Sequence, residues 1–252
     1  DGCNQCLTKR PTSSGVDIQE WRQFGTQFLN GAERVFVPSY DTLQRMQRYF
    51  PLANFIWAVH EPSLQPVAVK VLERTVDEPL RILVLGALSV FKGADVLEAC
   101  ALHARALRTP LEFHLLGFAY RALRTKPFSN LQVHGAYEEA ELAKLIAEIN
   151  PHLVWFPGSC PETYSYTLSA VLEAGLPVVA TDIGAFSERL AGREWTWLVP
   201  PDRPTNEIVS QFLEIQRSLT QASAPELLPV ADVGAASFSF SIEYDAGIER
   251  SS

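Results

Sequence analysis

A doubly wound α/β fold, with a parallel sheet covered by helices on both faces, is what this sequence predicts. Three observations carry that expectation. Short apolar runs alternate with segments of helical period from Leu80 to about Arg217. The runs are apolar nearly end to end rather than at every second residue, the mark of strands buried on both faces. Each pair of runs is separated by enough chain for a crossover, which parallel neighbours require.

The elements follow in order. Ile18, Trp21, Phe24 and Phe28 mark a helix, "RVFVPS" (34–39) a strand, and Leu43, Met46 and Phe50 a second helix that Ser39 or Asp41 can cap. "FIWAVH" (55–60) is a further strand. Two or three elements do not close a sheet, so residues 1–60 read as the end of an α/β domain. Residues 61–79, with three prolines and mixed charge, read as a linker.

The second domain is expected over 80–220. "RILVLG" (81–86) is an apolar strand ending in glycine, and 94–107 a helix through Val96, Leu97, Cys100, His103, Ala104 and Leu107. "LEFHLLG" (111–117) and "LQVHG" (131–135) are strands, and 139–149 is an amphipathic helix through Leu142, Leu145, Ile146 and Ile149. "HLVWFP" (152–157) is a strand, 166–174 a helix and "PVVAT" (177–181) a strand. A helix near 185–190, a strand near 196–199 and a helix from Thr205 complete the series. The stretch 221–252 is an Ala/Ser-rich tail in which 238–250 reads as one short element.

The totals exclude several functions. A net charge of −8 over 252 residues argues against a general nucleic-acid or anionic-membrane surface. No apolar run is long enough to span a bilayer, and no signal-peptide pattern is present. The chain opens at Asp1 and its single methionine is Met46, so it reads as part of a longer or processed protein. Cys3 and Cys6 form a C-x-x-C that is half a zinc site at most, and Cys100 reads as a core residue. No metal is expected, and a reducing, cytoplasmic compartment is the simplest setting.

Ligands of an open parallel sheet sit beyond the C-terminal ends of its strands, and three loops there carry suitable residues. "GALSVFKG" places Gly86, Lys92 and Gly93 ahead of a helix, where a lysine and free amides favour an anion. The plain alternative is a tight turn with a solvated lysine. "GSCPETYSYT" (158–167) offers Glu162, with Tyr164, Ser165, Tyr166 and Thr167 at the next helix start. Ser165 or Thr167 can cap that helix, and the tyrosines read equally as packing aromatics. "HGAYEEAEL" (134–142) can hold a nucleobase through its backbone and Tyr137. His60 ends its strand and reads as structural or as a cleft residue.

Together, the glycine-ended strand with Lys92 six residues on, the "V-x-G-x-Y-x-x-x-x-L" segment and "PETYSYTL…AGLPVVATDIGA" resemble the donor half of group 1 glycosyltransferases of GT-B fold. Residues 21–51 resemble the end of the acceptor half in bacterial polysaccharide members. The resemblance implies a retaining transfer of a sugar from a nucleotide-diphosphate donor to a glycan or lipid-linked glycan acceptor. It implies no bound metal or cofactor and a cytoplasmic place, with a peripheral inner-membrane one as the variant. Lys92 would hold the diphosphate, Glu162 the donor sugar, and the amides of 165–167 the phosphates.

Two positions depart from that pattern. A second glutamate, usually on the ribose hydroxyls, is expected where Ala170 stands, and an arginine often stands where Ala87 is. Glu173, one turn on, reads as a partial replacement or as a solvated helix-end residue. The alternatives are a degenerate, non-catalytic glycosyltransferase-like module and a sugar-nucleotide epimerase. The last needs an acid/base set that the sequence does not display.

Overall fold

The computed structural model describes residues 2–9, 11, 15–59, 78–125 and 130–221. Of these, the residues up to 59 belong to one compact unit and those from 78 to another. His60, all but the last two residues of the expected linker, and the expected element at 238–250 lie outside the described residues.

In the first unit, α1 (Gly2–Lys9) and α2 (Ile18–Asn30) precede β1 (Val35–Val37), α3 (Tyr40–Tyr49) and β2 (Phe55–Trp57). The strands β1 and β2 pair in parallel, Phe36 against Ile56. The helix α1 is absent from the sequence reading, and it contains the C-x-x-C. Neither cysteine is disulfide-linked, and no group of three potential metal ligands occurs among the described residues.

A capping box opens α2. The Asp17 carboxylate accepts from the Gln19 and Glu20 amides, while the Asp17 amide donates to Glu20. The spacing of Trp21, Phe24 and Phe28 marks this helix correctly, yet their exposures are 53, 70 and 71%. The helical period is therefore present without a buried face among the described residues. Of the two candidate caps of α3, Ser39 acts: its Oγ accepts from the Thr42 amide at 3.2 Å, and Asp41 pairs with Arg45. Replacing Ser39 with alanine is expected to cost about 1 kcal/mol, read as a lower urea midpoint.

The second unit holds β3 (Leu80–Leu88), α4 (Ala94–Ala106), β4 (Leu111–Ala119), β5 (Leu131–Gly135), α5 (Leu142–Ile149, entered through a 3-10 turn at Glu139–Glu141) and β6 (Leu153–Phe156). Then come α6 (Tyr166–Glu173), β7 (Val178–Thr181), α7 (Ala185–Arg189), β8 (Thr196–Val199) and α8 (Thr205–Gln221). The sheet is parallel throughout in the order β5-β4-β3-β6-β7-β8. The chain starts in the middle, winds outward one way, then returns to β3 and winds the other way. The winding therefore reverses between β3 and β6, the place where ligands of such sheets bind beyond the strand ends.

Alternation along β3 shows why the apolar runs are unbroken. Leu80, Ile82 and Val84 join one core with Leu97, Cys100 and Ala104 of α4 and Phe212 of α8. Leu83 and Leu85 join the opposite core with Ile146 of α5 and Leu168 and Val171 of α6. Cys100 is the core residue its spacing suggested, and burial pushes its thiol up to about 12.

Two buried ionisable groups make the fold acid-sensitive. Glu98 accepts hydrogen bonds from Arg121 and from the side chain and amide of Arg124, which overcome its desolvation and hold it at about 2. Burial, then the neighbouring His134, pushes His114 down to about 4. Both folded values lie below the ordinary ones of 4.5 and 6.5, so the unfolded chain binds more protons in each window. Stability is expected to fall as pH drops from 6.5 toward 4 through His114, and again from 4.5 toward 2 through Glu98. Urea titrations at pH 7, 5 and 3 check this. A midpoint independent of pH would contradict it.

Candidate functional site: the mouth of the parallel sheet

The site is built where β3, β4 and β5 end. Gly86, Gly117 and Gly135 stand in register across these strands, Gly86 beside Gly117 and Gly117 beside Gly135. A Cβ on Gly117 would lie 2.1 Å from the Gly86 carbonyl oxygen, one on Gly86 would come to 3.7 Å from the Thr167 methyl, and one on Gly135 would meet open space. The row forms a floor without side chains that a ligand can approach closely. Only Gly86 was singled out from the sequence, although the glycines ending "LEFHLLG" and "LQVHG" carry the same signal.

The loop after β3 lies directly on the loop after β6. Gly93 has φ +87°, and a Cβ there would sit 2.6 Å from the Pro157 carbonyl oxygen. The Ser159 amide donates to the Phe91 carbonyl at 2.8 Å. This apposition brings Lys92 Nζ to 3.2 Å from Glu162 Oε1. Two residues 70 positions apart, each expected at a ligand site for separate reasons, thus meet at the crevice where the winding reverses.

Glu162 is held by a second contact. It forms a parallel bridge with Gly184, and its carbonyl accepts from the Ala185 amide at 2.9 Å. The helix start beyond it differs from the sequence expectation. Ser165 occupies the N-cap position in the left-handed region, φ 71°, and its hydroxyl meets Thr167 Oγ1 at 3.2 Å instead of capping the backbone. The helix α6 thus begins without a side-chain cap.

Arg189, which stands in no motif of the sequence, braces this turn from α7. Its guanidinium lies 3.9 Å from the Tyr164 ring centroid and donates to the carbonyls of Tyr164 and Ser165 and to Ser169 Oγ. Tyr164 is buried under it, and its side chain does not line the cavity described next. Nothing in the local sequence marks Arg189, because its partners are mostly backbone oxygens more than twenty residues away.

A cavity of about 960 Å³ opens over the glycine floor and runs between α5 and α6. Gly86, Tyr137, Tyr166, Thr167 and Glu173 line it, as do Ala87 and Ala170. Lys92, Gly93, Glu162 and Ser165 are outside its lining, on the adjoining loops. Burial, and then Glu139, raises the Tyr137 phenol above its ordinary value, so it stays a neutral hydrogen-bonding group. The ionisable groups lining the cavity are Tyr137, Tyr166 and the carboxylates of Glu139 and Glu173, and the ammonium of Lys92 stands on the adjoining loop.

The chain shares the Rossmann-like fold of GT-B glycosyltransferases. Among solved structures it is similar to TarM, at a TM-score of 0.59 and 14% identity over 83% of this chain and 41% of that one. A TarM variant of S. aureus solved with fondaparinux, α-GlcNAc-glycerol and UDP gives 0.55 at 15% identity, covering 83% and 42%. Anabaena HepE solved with UDP-glucose gives 0.54 at 16%, covering 81% and 62%. The chain thus spans less than half of TarM and under two thirds of HepE. At these identities the likeness is one of fold. No family profile and no curated protein matches the sequence.

Proposed function

We propose that this chain carries the donor half of a glycosyltransferase, which moves a sugar from a nucleoside-diphosphate donor to a glycan or lipid-linked glycan acceptor. The observation that carries the reading is the Lys92–Glu162 contact of 3.2 Å, set at the reversal of the sheet beside an open glycine floor. The UDP and UDP-glucose bound by structures of like fold agree with it.

In this reading the diphosphate lies against Lys92 and the amides of 165–167, with Gly86 letting it approach the backbone and Gly93 holding the Lys92 loop against Pro157. The nucleoside enters the cavity beside Tyr137, Tyr166 and Thr167. Glu162 then exchanges Lys92 for hydroxyls of the donor sugar and orients its anomeric carbon. The bond from that carbon to the phosphate oxygen breaks, and the bond to an acceptor oxygen forms. The acceptor proton leaves with the released diphosphate. Lys92 and the uncapped helix stabilise the charge that develops on the leaving group, a role that needs no metal. The anomeric configuration is retained, and the setting is polysaccharide synthesis in the cytoplasm or at the inner face of a membrane.

Incubation with UDP-, GDP-, dTDP- and ADP-sugars in EDTA tests turnover. The expected result is nucleotide release from one of them, lowered on the order of a hundredfold in Glu162→Gln. A specific observation favours a second reading, a degenerate module: Ala87 and Ala170 both face the cavity and offer a ligand only methyl groups. Binding of a nucleotide without release from any donor would point to that module.

A further inference from the structure

We infer that Arg189 is a positioning residue for the proposed transfer, holding the loop that carries Glu162 in the backbone shape that sets Glu162 against Lys92; the inference rests on the donor-site reading above. Residues 157–165 connect β6 to α6 and belong to neither. The side chains of Glu162 and Lys92 are 29 and 52% exposed, and an ion pair so open to water holds little by itself. The loop is held through its backbone, and α7 holds it twice. At the start of α7 the Ala185 amide donates to the Glu162 carbonyl at 2.9 Å. At its end Arg189 donates from Nη1 to the carbonyls of Tyr164 and Ser165, both at 2.8 Å, and from Nη2 to Ser169 Oγ at 2.9 Å. Phe186 and Leu190, each 2% exposed, seat this helix in the core, so the loop is clamped to a fixed base.

The two carbonyls flank Ser165, whose φ of 71° and ψ of 87° lie in a left-handed region that L residues rarely adopt. In an extended, pleated chain successive carbonyls point to opposite sides. Their convergence on one guanidinium nitrogen therefore requires the turn at Ser165, and the cation offsets the strain of that turn. Such strain persists only where the surroundings over-determine it, and α6 has no side-chain cap to hold the turn instead. Released from Arg189, Ser165 is expected to relax to an ordinary conformation, and the residues back to Glu162 shift with it. The guanidinium lies 3.9 Å from the centroid of the buried Tyr164 ring and is outside the cavity lining. Arg189 thus acts through the loop and not by touching the ligand.

The test is nucleotide release at saturating donor, offered as UDP-, GDP-, dTDP- and ADP-sugars, in Arg189→Lys and in Arg189→Lys/Ser165→Gly. Lysine keeps the charge but has no fork to span two carbonyls and a hydroxyl. Release is expected to fall about tenfold in the single variant, the scale of a strained residue left without support. Glycine takes the left-handed region without steric cost, so adding Ser165→Gly is expected to return release to within about threefold of the parent. A merely structural role predicts the opposite, because a glycine then only loosens the loop further. A double variant no better than the single one overturns the inference, and so does an Arg189→Lys protein that releases nucleotide at the parent rate. Should Arg189→Lys not fold, Arg189→Gln with and without Ser165→Gly makes the same comparison. No release by the parent from any of these donors removes the transfer reading and this inference together, whereas release indifferent to Arg189 removes this inference alone.

Discussion

Replacing Lys92 with alanine is expected to weaken nucleoside-diphosphate binding by about 10- to 100-fold while leaving the fold intact. The ammonium is half exposed and its protein partner is Glu162. An exposed ion pair contributes at most about 1 kcal/mol to stability, so the melting temperature should hardly move. Hydrogen bonds to charged groups are worth about 1.5–3 kcal/mol each, and a diphosphate offers several acceptors. A large loss of affinity with an unchanged melting curve is thus the signature of a ligand-binding lysine. Unchanged affinity would make it a solvated turn residue.

Gly184→Ala is expected to damage the site from behind. Gly184 has φ 65° and ψ −147°, a region nearly closed to other residues. A Cβ there would meet the Glu162 amide nitrogen and carbonyl oxygen at 2.7 Å. Strain of about 1–3 kcal/mol and a backbone contact too short to persist must be relieved by moving 162 or 184. Calorimetric melting should show a fall of about 5 °C for a domain of this size. Nucleotide release should fall well beyond what the lost stability explains, because Glu162 no longer faces Lys92. Full release from a destabilised Gly184→Ala protein would show that this bridge does not position Glu162.

The fold was legible because its strands are buried on both faces. Unbroken apolar runs such as those at 82–85 and 153–156 have no other comfortable home, and most boundaries fall within two residues of expectation, with the end of β2 and the start of α5 three residues away. The lysine and glutamate were legible as residue types at strand ends, but their meeting was not. It depends on Gly93 lying against Pro157, a long-range packing fact. The exposure of Trp21, Phe24 and Phe28 on α2 was not legible, because apolar period reports helix geometry and does not say what covers the helix. Arg189 was invisible for a similar reason: a cation that serves backbone carbonyls leaves no pattern in neighbouring residues.

The measurement that tests the central claim most directly is calorimetric titration of the protein with UDP, GDP, dTDP and ADP, repeated on Lys92→Ala. The account predicts micromolar binding of one of the four, unaffected by EDTA and lost or reduced at least tenfold in the variant. Absence of binding to all four at millimolar concentration, or binding indifferent to Lys92, would contradict it.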